Sequence, residues 1–210
     1  KDRLVQDALD AIEETAAEWA AAAEPELRKE METLGRETLV ELDLDPDAFS
    51  VKDPKVAEWA ADRSFQFAQD VNETTQGTVK TVLSEALDEG ETMETIAERI
   101  KETYDAWSGD DGDEMEATRA ERIARTETVA AQNFGVQAAF EQSEIVAGKT
   151  WMTLGDSAVR ASHAALDGET VGLEGAFSNG LSYPGDMSAG NASETVNCRC
   201  SMQPAIEVEE

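Results

Sequence analysis

A chain of 210 residues with 40% in the hydrophobic set can bury a real core, enough for one large or two small domains. Seventeen Lys and Arg against 46 Asp and Glu leave a formal charge of −29, which disfavours direct nucleic-acid contact because phosphate affinity rests on clustered basic residues. No apolar run approaches the roughly 18 residues of a membrane span, and the N-terminus lacks the apolar centre of a secretory leader, so neither a membrane nor an export role is expected.

In chain order, Val5, Leu9, Ile12, Ala16, Trp19, Ala23, Leu27, Met31 and Leu34 recur at spacings of three and four, which predicts an amphipathic helix over residues 4–34. Pro25 should kink or restart it, because a proline in a helix removes a backbone donor and clashes with the preceding turn. The stripe suits either its own core or a seam for a partner helix. Asp-Pro pairs at Asp45-Pro46 and Asp53-Pro54 punctuate the chain before a second helix over residues 55–87, with Val56, Ala60, Phe67, Val71, Thr78 and Val82 on one stripe and Gly90 as its stop.

Thr92 can cap a third helix carrying Met93, Ile96, Ile100 and Tyr104. The Asp-rich run of residues 108–113 follows, without the full spacing of a calcium loop, and reads as a solvated linker. A fourth helix is predicted over residues 114–142 with Ile123, Ala130, Phe134 and Ala138 inward, and Arg119, Arg122 and Arg125 interleaved with glutamates on a salt-bridged face. From Gly148 the chain turns rich in Gly, Ser and Asn, with strands expected at residues 149–154, 170–173 and 200–202 and a short helix over residues 156–166. The fold class is therefore α+β, with long N-terminal helices over residues 1–142 and a small domain with a short β-sheet over residues 148–203. The last strand is expected to pair with the one carrying Trp151.

Acidic residues are spread along the whole chain and Lys is scarce. Near 1 M salt the Debye length falls to about 3 Å and self-repulsion is screened, so the pattern suits a protein of concentrated salt. A protein with a basic partner is the alternative, though such chains concentrate their acid in one block. Beginning at Lys1 rather than Met, the chain reads as a processed or partial piece of a longer product.

His163, Cys198 and Cys200 are the one His and the two Cys of the chain, and as soft or borderline ligands they are its candidate metal set. Zinc would suit them but prefers four ligands. Asp156 or Asp167 could complete the set, and spacing picks neither. The simpler reading is cofactor-free, with a structural thiol pair and an imidazole that hydrogen-bonds a turn. The same residues are the sole thiol and imidazole combination for a hydrolase, without an obvious orienting partner or a nucleophile elbow.

An ordered series of residues carries a resemblance. Ile123-Ala124-Arg125-Thr126-Glu127-Thr128 is followed by Trp151-Met152-Thr153, Asp156, Val159-Arg160-Ala161-Ser162-His163, Leu166-Asp167-Gly168, Tyr183-Pro184-Gly185-Asp186 and Asn197-Cys198-Arg199-Cys200. Together these resemble the Mu F-like head morphogenesis family of tailed phages, over residues 122–202. The resemblance implies a minor head protein that associates with the portal vertex, enters the procapsid in a few copies, and serves head assembly and genome delivery. Many relatives carry Cys-x-x-Cys where this chain has Arg160 to His163, so a four-cysteine metal knot would be reduced here to Arg160, His163, Cys198 and Cys200.

The expected structural signature is thus Arg125, Glu127, Trp151, Arg160, His163, Asp167, Gly168, Cys198, Arg199 and Cys200, with no catalytic residue. The expected partners are the portal protein, other head proteins and further copies through the N-terminal helices. The expected place is inside the capsid near the portal after assembly in the host cytoplasm. A Cys/His hydrolase or toxin-like effector is the alternative function, since relatives are sometimes fused to toxin domains.

Overall fold

The computed structural model describes residues 16–89, 95, 99, 119–189 and 191–206. Helix α1 spans Ala16–Glu41, α2 Pro54–Glu89 and α3 Arg119–Ser143. The predicted third helix, apart from Thr95 and Arg99, and the Asp-rich run lie outside the described residues, as do the first apolar positions of the N-terminal stripe. Strands β1 (Gly148–Met152), β2 (Thr170–Gly172) and β3 (Ser201–Ala205) form one antiparallel sheet in the order β2-β1-β3. Two one-turn helices, α4 (Ala161–Ala164) and α5 (Ala192–Thr195), lie in the connections. Long helices with a small C-terminal sheet make the fold α+β, as the hydrophobic periodicity predicts.

The chain divides into two compact units: residues 1–25 with 61–121, and residues 26–60 with 122–210. In the first, Arg99 pairs with Glu85 at 2.9 Å, and Arg63, Ser64 and Ala68 of α2 are buried. Among the described residues no helix is long and apolar enough to cross a membrane.

The second unit holds two connected cores. In the helical one, Leu27, Met31 and Leu39 of α1 pack with Val56 and Ala60 of α2 and with Ala131, Ala138 and Ala139 of α3, and Phe49 closes the connection between α1 and α2. Small side chains let the helices approach closely. A Cβ on Gly135 would lie 2.6 Å from the Met31 carbonyl oxygen, so α3 touches the backbone of α1 there. Trp59 stacks on Phe134 at 4.7 Å, Phe134 meets Tyr183 edge-on, and the Trp59 indole N–H donates to the Tyr183 hydroxyl at 2.9 Å. In the second core, Phe140, Val146, Trp151, Leu166, Phe177, Leu181, Tyr183, Cys198, Cys200 and Met202 pack together under the sheet.

Strand β1 is central. It pairs Trp151 with Met202 and Thr150 with Gln203 on one side, and Thr150 with Thr170 on the other. The expected pairing of the last strand with the Trp151 strand is therefore present.

Two local differences from the pattern have physical causes. Helix α1 stays helical through Pro25 and runs on to Glu41, anchored by burial of Met31 and Leu39 on one stripe. The Arg28 guanidinium also donates to the carbonyls of Val51 and Ala57. The expected helix at residues 156–166 shrinks to α4, because the Asp156 side chain accepts the Ala158 N–H in a local turn and Arg160 is extended. The expected start of the fourth helix at residue 114 lies outside the described residues, within which α3 runs from Arg119 to Ser143.

Candidate functional site

The residues of interest are gathered by three segments that hold one another. On α3, the Arg125 guanidinium donates to Asn197 Oδ1 at 2.6 Å, and the Thr126 hydroxyl accepts the Asn197 N–H at 2.9 Å. Asn197 has φ 58°, a left-handed turn that short polar side chains tolerate better than most, and it aims the following Cys-Arg-Cys back into the core. Two turns along α3, buried Asn133 donates to the Cys200 carbonyl at 3.0 Å. Glu127 lies half-buried on the same helix.

The second segment is the turn after α4. Gly168, at φ 81°, donates its N–H to the Trp151 carbonyl at 2.9 Å. Asp167 Oδ1 accepts the backbone N–H and hydroxyl of Thr153 at 2.8 and 2.9 Å. The third is the strand and loop region around Arg160 and Arg199: Arg160 donates to the Val196 carbonyl, and Arg199 pairs with Asp156 at 2.6 Å on the surface. Asp156 and Asp167, the candidates for a fourth ligand, are thus engaged elsewhere, Asp156 by an arginine and Asp167 by Thr153.

At the centre stands His163, 1% exposed, with Cys198 and Cys200 also buried. The ring's Nδ1 is 3.4 Å from Cys200 Sγ and 3.7 Å from Cys198 Sγ. The Cys200 N–H points at Cys198 Sγ from 3.5 Å. On the opposite edge of the ring, Nε2 lies 3.1 Å from Glu194 Oε2, near enough for an ionic contact but off the line of a hydrogen bond. Trp151 meets the imidazole edge-on at 5.0 Å and is itself packed edge-on against Phe177 at 5.0 Å. Both cysteines are free.

The electrostatics separate the two thiols. Cys198 is drawn down to about 6, chiefly because Cys200 donates its S–H and then its backbone N–H to it; His163 and Arg160 add smaller pulls against the opposing effect of burial. Cys200 is pushed up as the donor of that pair and by burial, while the Trp151 indole N–H favours its charged form. The pair therefore holds one negative charge readily and a second only at a cost, unless another positive centre joins it.

Glu194 was not legible beforehand. It lies in a run of small polar residues on one-turn helix α5, and among 46 acids nothing distinguishes it. Asn133 was equally hidden, a polar residue on an otherwise inward helix face. An amide among alanines at a helical inward spacing is the signal that could have found it.

Comparison with known proteins finds a match over residues 77–203 to the family described as Phage Mu protein F like protein. The chain is 27% identical to the uncharacterized protein YqbB of Bacillus subtilis (strain 168) over 172 residues, which is 78% of this chain and 53% of that protein. It is 36% identical over 101 residues to the NAD(+)--arginine ADP-ribosyltransferase EFV of Enterococcus faecalis (strain ATCC 700802 / V583), 45% of this chain and 21% of that one. The chain thus spans about half the length of the first relative and about a fifth of the second. No solved structure matches the chain significantly. The family match covers well over half of the chain and takes in every segment of the interlocked site, so the chain belongs to the Phage Mu protein F-like family of phage head-morphogenesis proteins.

Proposed function

We propose that this chain is a minor head protein of a tailed virus adapted to concentrated salt, seated inside the capsid at the portal vertex and acting by architecture in head assembly and genome delivery. The observation that carries the reading is the closed state of the site. His163, Cys198 and Cys200 are all buried, and Arg125, Arg160 and Arg199 tie the surrounding loops to one another rather than lining a cleft. Such a clasp supports a rigid small domain better than it supports turnover. The evenly spread charge of −29 supports the salt-adapted source. The long helices are the proposed contact surface for the portal or for further copies, and nucleic-acid contact is the weaker alternative.

A pull-down with the cognate portal protein in molar salt, using the chain with and without residues 1–25, a cut that spares Leu27 and Met31 of the helical core, tests this reading. Loss of capture on truncation supports it; undiminished capture refutes the N-terminal seam. The second reading, a toxin-like or Cys/His-dependent effector, is favoured by the similarity to a protein named as an ADP-ribosyltransferase and by the lowered Cys198 thiol. Thiol-labelling rates separate the two: inert cysteines in the folded chain support architecture, and a fast-reacting one supports chemistry.

A further inference from the structure

Three ligand atoms converge on one point of the clasp: His163 Nδ1 and the sulfurs of Cys198 and Cys200, all buried and all within 4.8 Å of one another. Two sulfurs face the same ring nitrogen, at 3.4 and 3.7 Å. A neutral Nδ1 carries either one proton or one lone pair, so a thiol–imidazole hydrogen bond explains one of these contacts and not both. A shared centre explains both. With metal–sulfur bonds of about 2.3 Å and metal–nitrogen bonds of about 2.0–2.1 Å, the nitrogen–sulfur edge of a tetrahedron is about 3.5–3.6 Å, and the two distances in the clasp bracket it.

The surroundings are those a bound cation needs. A ligating imidazole characteristically offers its second nitrogen to a carboxylate, which holds the ring's tautomer and leaves the other lone pair for the ion. Glu194 stands on that side of the ring, 3.1 Å from Nε2, and a small rotation would bring its carboxylate into line with the N–H. The Cys200 N–H directs itself to Cys198 Sγ at 3.5 Å, and the Trp151 indole N–H is buried without an oxygen partner. A backbone N–H directed at one of the two sulfurs suits a thiolate in a site whose ligand atoms are all buried.

The geometry points to a soft divalent metal site, best suited to zinc, formed by Cys198 Sγ, Cys200 Sγ and His163 Nδ1, with Glu194 as the carboxylate that orients the ring. Arg160, tied to the Val196 carbonyl two residues before Cys198, is held as a fixed positive charge rather than a ligand. The fourth position is left to a small exogenous ligand. This inference concerns the inside of the clasp and stands or falls separately from portal binding.

The test uses the full chain purified in high salt, stripped with a chelator, checked for folding by circular dichroism, and titrated with Co²⁺. The expected result is a tetrahedral visible spectrum with thiolate-to-cobalt charge transfer that saturates at one equivalent and is displaced by Zn²⁺. Cys198→Ser and Cys200→Ser should each diminish the charge-transfer band, and Glu194→Gln should keep the spectrum while weakening affinity by about 10- to 100-fold. Should the cysteine variants fail to fold, X-ray absorption on the zinc-loaded wild-type chain decides, with two sulfurs and one imidazole nitrogen expected in the first coordination sphere. A folded, stripped chain that takes up Co²⁺ without thiolate charge transfer, or zinc bound by oxygen ligands alone, overturns the proposal. Unchanged affinity in Glu194→Gln overturns the role given to Glu194.

Discussion

Asn197 shows how much one residue can carry. Its side chain receives Arg125, its N–H reaches Thr126, and its backbone sits at φ 58°. Asn197→Gly should keep the turn and lose the Arg125 hydrogen bond, whereas Asn197→Ala should lose both and fall further by about 1–2 kcal/mol, the strain of a left-handed alanine. Denaturant melts of the two variants check the order, and equal losses would show that the backbone strain is relieved elsewhere.

Lys149 is the other informative residue. It is 1% exposed, donates to Gln137 Oε1 at 3.1 Å and lies 5.9 Å from the Phe177 ring centroid. Burial holds its ammonium below the ordinary 10.5, against smaller upward pulls from Glu141, Glu174 and Asp186. Below the folded value both states are protonated, and the folded chain bears the full cost of burying the charge. As pH rises through the folded value toward 10.5 the native state releases the proton first, so this cost shrinks and stability rises. The stability of the wild type relative to Lys149→Met should therefore increase from neutral pH toward 10.5. A difference that stays flat with pH would mean that the lysine titrates as an exposed one does.

At the scale of elements, the approach of α1 and α3 sets the helical core. Helix propensity alone predicts that Gly135→Ala gains up to about 1 kcal/mol. A methyl group there would press into the Met31 backbone at 2.6 Å, which cannot yield as a flexible side chain does, so the substitution should lower the melting temperature instead. A stabilised variant would mean that the helices separate at little cost. The sheet shows the same division between local and distant causes. The short apolar pieces around Trp151 and Met202 mark the strands, whereas the central position of β1 depends on two partners more than fifteen residues away on opposite sides.

For the whole molecule, charge is the dominant variable. With −29 on 210 residues the native state repels itself, and raising salt from about 0.1 M to 1 M shortens the Debye length from about 10 Å to 3 Å. The melting temperature should rise steadily over that range and continue to rise in molar KCl. A melting temperature independent of salt would count against a salt-adapted source. Membership of the Phage Mu protein F-like family follows from a match that covers residues 77–203.

The sequence by itself determined the α+β class, the three strands to within a few residues, the inward stripes of Leu27, Met31, Val56 and Ala60, and the family. These rest on periodicity and on residue order, which survive without knowledge of distant contacts. Only the tertiary structure decided that Asp156 and Asp167 stand apart from the thiols and that Glu194 faces His163. Only it set Asn133 beneath Cys200 and α3 against the backbone of α1 at Gly135. In a chain with 46 acids a carboxylate's identity says little; its partner is chosen by which loops the clasp brings within 3 or 4 Å, and that is a property of packing.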